Sequence, residues 1–200
     1  MADYHFFATV SRMKYIERWA LMRSTRPENL SEHSLETAMI ANVLCVIGNV
    51  RYGKHLDAEK AAVIGLYHDA SEIITGDMPT PVKYNNPEIR SAYAKVEEVA
   101  EDTLLKQLPE DLRSYYEGIM KPADDENELY MRRLVKAADK ISALIKCIEE
   151  DSAGNTEFSR AAASTMKTLE EYSGQYPEVR DFLQEFIESY GKTLDELLSR

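Results

Sequence analysis

The sequence is poor in cysteine, tryptophan and positive charge. Its 200 residues include two cysteines and one tryptophan, and 35 acidic residues outnumber 24 lysines and arginines to give a net charge of −11. Because phosphate backbones select basic surfaces, this charge argues against a nucleic-acid-binding protein. It still permits a small phosphorylated substrate, since a metal ion and one or two local bases can hold a single phosphate.

Targeting and membrane signals are also missing. The N-terminus lacks a basic region followed by an apolar run, so no signal peptide is predicted. No apolar stretch approaches the roughly 18 residues of a membrane span. Cys45 and Cys147 lie in apolar helical contexts, which favours buried free thiols over a disulfide. We therefore expect a cytoplasmic protein that does not enter a membrane.

Strand-like alternation is absent as well, because apolar residues recur at helical spacing almost throughout. Short Gly, Pro and Asn segments divide the chain into roughly eight helices, an all-α fold. They are predicted at about 4–16, 29–49, 57–75, 86–108, 109–120, 128–149, 156–172 and 177–190, with a short turn at 193–198. The length suits a single domain over 1–200, whose helices at 155–200 pack on its edge or form a dimer surface.

The stretch Tyr67–Glu72 places His68 and Asp69 side by side, with Glu72 four residues after the histidine. It lies in the predicted helix that Asp57 caps and Gly76 ends, which is apolar on much of its circumference. Charged groups in such a helix are costly unless they are paired or bind a metal. A surface cluster of the three side chains is the alternative, but the apolar setting favours a functional site.

Two further helices supply candidate ligands. His33 lies in the first turn of a helix that begins with a capping box of Asn29 and Glu32. That helix also carries one apolar stripe, formed by Leu35, Met39, Val43, Val46 and Val50. Asp139 is an isolated acid beside the apolar stripe of the helix at 128–149, and from this segment a salt bridge to a neighbouring base explains it as well as metal ligation does.

His33, His68, Asp69 and Asp139 together make a hard, mixed nitrogen and oxygen ligand set. Such a set suits Mn²⁺, Co²⁺, Fe²⁺, Ni²⁺ or Zn²⁺, with positions left for water and a substrate oxygen. Glu72 could take a proton from the attacking water or return one to the leaving group. These residue types predict hydrolysis assisted by a divalent metal.

Two other segments could hold a substrate. Arg18 and Trp19 place a planar cation beside a flat apolar ring, a pair that could clamp a phosphate and stack on a base. The segment at 76–83 contains Pro79 and Pro81, which predict a stiff, extended loop that presents Asp77 and Thr80. A rigid loop directly after a metal-bearing helix is a good place to hold a substrate, and an ordinary rigid connector is the alternative.

The spacing of these ligands resembles that of the HD-domain metal-dependent phosphohydrolases. The strings Arg18-Trp19, Ser31–Ser34, Tyr67–Glu72 and Thr75–Tyr84 are similar to those of the bacterial 5′-deoxynucleotidase subfamily. The likeness covers roughly residues 5 to 150 and shows no departure at the four ligand positions. It implies an all-helical HD-domain bundle, a homodimer, and hydrolysis of deoxyribonucleoside 5′-monophosphates to the deoxyribonucleoside and phosphate.

The resemblance also implies roles for individual residues. His33, His68, Asp69 and Asp139 would hold one divalent metal per subunit, with Co²⁺ or Mn²⁺ or another transition metal in the site. Arg18 would orient the 5′-phosphate and Glu72 would be the general acid or base. The substrate would also meet Trp19, the loop Asp77-Met78-Pro79-Thr80, and the ligands His33, Asp69 and Asp139.

Three alternatives remain open at this point. A hydrolase of nucleoside triphosphates or signalling nucleotides would need more bases around the site to hold the extra phosphates. A di-iron oxygenase would need further histidine ligands, and only His5 and His55 remain. A non-catalytic regulatory protein would not require an intact ligand set together with Glu72.

Overall fold

A computed structural model describes residues 3–83 and 86–199, without the side chains of Thr80 and Pro81. Regular structure in this part of the chain is almost entirely helical, which confirms the predicted all-α fold. The helices are α1 (Phe6–Val10), α2 (Leu30–Tyr52), α3 (Ala58–Tyr67), α4 (Glu72–Thr75), α5 (Thr80–Lys83), α6 (Pro87–Leu105), α7 (Glu110–Met120), α8 (Glu126–Ser152), α9 (Ser159–Gln175), α10 (Pro177–Glu185) and α11 (Leu194–Leu198). Short 3₁₀ segments cover Ser11–Tyr15, Thr156–Phe158 and Ile187–Gly191.

The described chain also contains a short β-ladder that the sequence analysis did not predict. β1 (Glu17–Arg18) pairs antiparallel with β2 (Glu28–Asn29), and Arg18 lies opposite Glu28. Strands of two residues are too short to show alternation, which explains the miss. The ladder closes a loop that carries Trp19 and ties it to the start of α2.

Helix α2 begins as predicted and exposes a face that the sequence did not reveal. The Asn29 side chain accepts hydrogen bonds from the backbone N–H groups of Ser31 and Glu32, and Glu32 accepts one from Asn29, so the capping box is confirmed. The apolar stripe from Leu35 to Val50 lies largely on the solvent side, with Met39 59% exposed and Val50 78% exposed.

The buried face of α2 packs into the core through a different set of residues: Leu30, Ala38, Ile40, Ala41, Leu44, Cys45 and Ile47. Because both faces are apolar, the helix could cross a membrane by length and composition alone, contrary to expectation. However, 56% of its most apolar window is buried inside the fold, and core helices pass the same test. Cys45 and Cys147 are both free and buried, as predicted.

Two clusters of buried side chains form the core. The larger one joins α2, α3 and α8 and extends to Leu169 of α9 and Val179 and Phe182 of α10, so the C-terminal helices pack on it. The smaller one gathers the N-terminal segment, the start of α2 and the end of α6, and its members are Phe6, Met13, Leu30, Ala70, Leu104, Leu105 and Leu108. Helix α2, which carries His33, contributes to both clusters, and α8, which carries Asp139, contributes to the larger one.

The predicted helix over 57–75 is wrong in one important respect. Asp57 does cap its start, but α3 ends at Tyr67 and the chain makes a turn before α4 begins at Glu72. In this turn the N–H groups of Ala70 and Glu72 bond to carbonyls three residues earlier, on Tyr67 and Asp69, at 3.0 Å each. The break therefore falls on the His-Asp pair itself.

The segment after Gly76 also differs from expectation. It was predicted to be an extended loop, yet Thr80–Lys83 forms the single-turn helix α5, with the N–H of Val82 bonded to the carbonyl of Pro79 at 2.8 Å. Pro81 is tolerated because the first residues of a helix have no intrahelical acceptor for their N–H groups. The predicted loop is therefore limited to residues 77–79.

Candidate active site

Four side chains from three parts of the fold converge at one point. His33 comes from the first turn of α2, His68 and Asp69 from the break after α3, and Asp139 from α8. One ligand atom from each lies within 4.8 Å of the others, a grouping that could hold a metal ion. The structure thus brings together the four residues that the sequence analysis selected as ligands.

Close packing of α2 on α3 sets the spacing between the two histidines. A Cβ atom at Gly65 would lie 2.7 Å from the Cα of Ala38, so only glycine allows the two backbones to approach this closely. Gly65 is one turn before His68, and its carbonyl oxygen lies 2.7 Å from His68 Nδ1. As a result, the ring centroids of His33 and His68 are 5.2 Å apart.

The backbone fixes the tautomer of His68. A carbonyl oxygen can only accept a hydrogen bond, so Nδ1 of His68 carries a proton and Nε2 points into the cluster. Nε2 lies 3.0 Å from Oδ2 of Asp69. Burial disfavours the charged imidazole, but the neighbouring Asp69 and Asp139 carboxylates outweigh burial and raise the pKa of His68 to about 9.

His33 is fully buried and differs from His68 in charge. Its Nδ1 lies 2.9 Å from Ser142 Oγ, while its Nε2 lies 3.2 Å from Asp139 and 3.6 Å from Asp69. Burial and the positive charge of Arg18 lower the pKa of His33 to about 4, against the opposing effect of Asp139. At neutral pH His33 is therefore an uncharged imidazole, the form that binds metals.

The two carboxylates remain ionised. Burial favours the protonated forms of both. The neighbouring His68 nevertheless holds the pKa of Asp69 well below its usual range. Lys140 and His33 do the same for the pKa of Asp139. Both Nε2 atoms are buried beside these carboxylates, yet neither makes a well-aligned hydrogen bond among the described residues. Buried polar atoms left in this state are costly, and a cation between the carboxylates would satisfy them.

Glu72 is buried at the start of α4, beside this cluster. Burial and the negative charges of Asp69 and Asp77 raise its pKa to about 9, against smaller opposing effects of Lys83 and Arg18. The side chain is therefore protonated at neutral pH in the metal-free protein. Such a carboxylic acid can give up a proton, whereas an ordinary surface glutamate cannot.

Arg18 and Trp19 are held together by Glu28, a residue that the sequence analysis did not single out. Glu28 Oε2 accepts a hydrogen bond from the indole N–H of Trp19 at 3.0 Å and lies 3.7 Å from Nε of Arg18. Nη1 of Arg18 is buried with no hydrogen-bond partner in the described part of the chain. The guanidinium thus has a free donor. Its positive charge also lowers the pKa values of His33, Glu72 and Asp77.

Trp19 has an unusual backbone conformation, with φ of +58°. A bulky residue in the left-handed region costs about 1–3 kcal/mol and persists only where its surroundings enforce it. Here the indole edge contacts Phe158, with ring centroids 5.3 Å apart, in addition to the bond to Glu28. The ring is half-buried, so part of its surface remains accessible.

Asp77 connects the loop after α4 to the same site. Burial raises the pKa of Asp77, and Arg18 and the backbone of Trp19 lie close enough to oppose that rise. Met78 and Pro79 follow Asp77 and are half-buried. The side chain of Thr80, another predicted substrate contact, lies outside the described part of the structure, as does Tyr84.

Three other residues support the site and were missed: Gly65, Ser142 and Glu36. Ser142 is three residues after Asp139 and Glu36 is three after His33, so each shares a helix face with a ligand. That spacing was readable in the sequence, but nothing showed that the two faces meet. Ser142 donates a hydrogen bond to Glu36 at 2.6 Å.

Comparison with known proteins identifies close relatives. A family model described as 5′-deoxynucleotidase YfbR-like matches residues 5–190. A 5′-deoxynucleotidase of Erwinia tasmaniensis is 45% identical over 98% of each chain. Among solved structures, an HD-domain phosphohydrolase from Listeria innocua has a TM-score of 0.79 at 23% identity and covers 93% of this chain and 88% of that one. The cyanophage S-2L HD phosphohydrolase, bound to dA and one catalytic Zn²⁺ ion, has a TM-score of 0.63 at 22% identity, over 93% and 96% of the two chains.

Proposed function

Since the chain belongs to the YfbR-like 5′-deoxynucleotidase family, we propose that it hydrolyses deoxyribonucleoside 5′-monophosphates to the deoxyribonucleoside and phosphate. The observation that carries the proposal is the convergence of His33, His68, Asp69 and Asp139, in which both imidazole Nε2 atoms are buried beside the two carboxylates. The negative net charge fits a small substrate rather than a nucleic acid.

In this proposal the four residues hold one divalent metal per subunit. Two imidazoles and two carboxylates suit Co²⁺, Mn²⁺ or Zn²⁺, and a catalytic Zn²⁺ is named for the cyanophage enzyme of the same fold. When bound, such an ion lowers the pKa of water and offsets charge on the phosphoryl oxygens. The tautomer of His68, with Nδ1 bonded to the Gly65 carbonyl, leaves Nε2 as the ligand atom.

Arg18 is the residue that we assign to the phosphate. Its unpartnered Nη1 and its short distance from the cluster suit a charge-assisted bond to a phosphoryl oxygen. Trp19, held by Glu28 and Phe158, presents its accessible surface beside the guanidinium for the nucleoside. The strained backbone of Trp19 keeps the two groups in a fixed relation.

Glu72 is assigned to proton transfer. The departing 5′-oxygen carries negative charge unless it receives a proton as the phosphorus–oxygen bond breaks. Burial keeps Glu72 protonated at neutral pH, so it can donate to that oxygen. A cation held by Asp69 would lower the pKa of Glu72 and bring it closer to the working pH.

The segment 77–80 is assigned to the sugar. Asp77 lies close to the backbone of Trp19 and to Arg18, which places this loop beside the side chain that we assign to the nucleoside. A ribonucleotide would bind less tightly there if its 2′-hydroxyl clashes with the loop or leaves a polar group without a hydrogen-bond partner. We expect Asp77→Ala to raise the ratio of ribonucleotide to deoxyribonucleotide kcat/KM by about tenfold.

A panel of nucleotides tests the activity. Phosphate release would be followed with 5′- and 3′-monophosphates of deoxyribo- and ribonucleosides, with Mn²⁺ or Co²⁺ and then with a chelator. The proposal expects release from deoxyribonucleoside 5′-monophosphates and its loss on chelation. No release from any deoxyribonucleotide would contradict it.

We further propose that the exposed stripe of α2 forms a homodimer interface. Leu35, Met39, Val46 and Val50 line one face of the helix at 54%, 59%, 41% and 78% exposure. A contiguous apolar patch of this kind marks an interaction site, and a two-fold axis across the helix would pair the patch with itself. Met39→Glu should convert dimers to monomers in analytical ultracentrifugation, while Leu112→Glu on α7 should not.

We also propose a cytoplasmic location, which suits the two free thiols.

A further inference from the structure

A chain of two hydrogen bonds leads from His33 away from the ligand cluster. Nδ1 of His33 lies 2.9 Å from Ser142 Oγ, and Ser142 Oγ donates to Glu36 Oε2 at 2.6 Å. His33 and Glu36 belong to α2, and Ser142 belongs to α8. Neither Ser142 nor Glu36 is among the four residues that could hold the metal.

The direction of these bonds decides which nitrogen of His33 is free. A serine hydroxyl has one hydrogen, and here that hydrogen is directed to the Glu36 carboxylate. Toward His33, therefore, Ser142 Oγ can only accept, so His33 Nδ1 must carry the proton. Nε2 of the neutral ring then has its lone pair directed at Asp139 and Asp69, 3.2 and 3.6 Å away.

We infer that Ser142 and Glu36 are positioning residues, which hold His33 in the only tautomer that can bind a metal through Nε2. The inference rests on the proposed metal site. The opposite tautomer would place a proton on Nε2, where a cation has to bind. The Nδ1 atom of His68 is held by a backbone carbonyl, whereas the Nδ1 atom of His33 meets the Ser142 hydroxyl.

Glu36 is placed to serve as the end of this chain. It is half-buried and lines a polar cleft together with Arg26, Glu28, Glu32, Lys146 and Glu149. Burial raises the pKa of Glu36 to about 7, while the hydrogen bond from Ser142 lowers it. Above that pH the carboxylate is ionised and accepts from Ser142, so the measurements below are made at pH 8.

Metal affinity and the tautomer of His33 test the inference together. Ser142→Ala and Glu36→Ala should each weaken Co²⁺ binding by about 10- to 100-fold in titration calorimetry, the usual effect of removing a partner behind a ligating histidine. Glu36→Gln keeps an acceptor oxygen and should lose less. Ser34→Ala is the matched control, since it removes a buried, unpaired hydroxyl next to His33 and should leave the affinity unchanged.

Nitrogen-15 chemical shifts of the histidine rings supply a readout that needs no metal. In the wild-type metal-free protein the His33 ring should be protonated at Nδ1, and in Ser142→Ala this preference should be lost. Wild-type affinity and an unchanged tautomer in Ser142→Ala would overturn the inference, as would an equal loss in Ser34→Ala. If Ser142→Ala does not fold, Glu36→Ala at its half-buried position decides the same question. Wild-type protein that bound no Co²⁺ would refute the metal site instead, and the tautomer would still test the two positioning residues.

Discussion

The Nε2 atom of His68 lies 3.0 Å from Oδ2 of Asp69, the residue next to it in the chain. In a continuous helix these neighbours would point about 100° apart. Helix α3 ends at Tyr67, and both side chains reach one cluster from the turn that follows. In the metal-free protein they form an ion pair, because the pKa of His68 is raised to about 9.

This pair predicts how metal binding depends on pH. Below about pH 9 His68 carries a proton on Nε2 that an incoming ion must displace, whereas His33, with its pKa lowered to about 4, releases none at neutral pH. Affinity for Co²⁺ should therefore rise about tenfold per pH unit up to pH 9 and then level off. Calorimetry in two buffers of different ionisation enthalpy measures the released protons.

The control for this prediction is Glu72→Gln. Glu72 is the other nearby group whose pKa is raised to about 9, so the substitution removes a competing source of protons. Release of one proton at pH 7 should persist in that variant. Metal binding without proton release would show that His68 is not the displaced acid.

Removing the acid at Glu72 should separate catalysis from metal binding. Glu72→Ala is expected to bind Co²⁺ as the wild type does, since Glu72 is not one of the four clustered residues. Its turnover should fall by at least about 10²-fold, the usual contribution of a general acid. Single-turnover phosphate release with equilibrium dialysis of the metal gives both quantities. A parallel loss of metal would make Glu72 a ligand instead.

Arg18 should not be replaceable by lysine. Nε of Arg18 lies near Glu28 while Nη1 has no partner among the described residues, and the compact ammonium group of lysine cannot replace both donors of the planar fork. Arg18→Lys is expected to lower kcat/KM for a deoxyribonucleotide by about 10²-fold. Arg26→Lys is the control, because Arg26 is exposed and pairs with Glu32. Equal activity of the two variants would remove Arg18 from the phosphate site.

Gly65 should be required for the distance between the histidines. A methyl group at Gly65 would collide with the backbone of Ala38, so Gly65→Ala should destabilise the fold by about 1–3 kcal/mol and weaken metal binding. Gly118 lies in α7 with nothing within 4 Å of an added Cβ. Gly118→Ala should stabilise the fold by about 0.5–1 kcal/mol in urea unfolding. A Gly65→Ala protein with wild-type stability would contradict the close approach seen here.

The sequence predicted the helical fold from local signals, and it predicted the convergence of the four candidate ligands from the resemblance of their spacing to that of the HD-domain phosphohydrolases. The capping box at Asn29 and the cap at Asp57 follow from side-chain chemistry within a few residues. Local signals alone did not select His33, an early-turn histidine, or Asp139, which a salt bridge explains equally well, so both were assigned through the resemblance.

The rest depends on contacts between distant segments, which local patterns do not encode. The stripe at Leu35 and Met39 has helical periodicity, yet periodicity cannot tell a core face from an exposed apolar face. The break at His68 offers no glycine or proline to mark it. Ser142 and Glu36 share faces with ligands, but their bond exists only because α2 and α8 cross at that point.

The central claim is that one metal ion, held by His33, His68, Asp69 and Asp139, is required for release of phosphate from a deoxyribonucleotide. The most direct test is a titration of metal-free enzyme with Co²⁺ while phosphate release from dAMP is followed, with Asp139→Asn in parallel. We predict no release without metal, a plateau at one equivalent per chain, and no activity in Asp139→Asn at the same equivalents. Full activity in the presence of a chelator, or a plateau reached only at two equivalents, would contradict the claim.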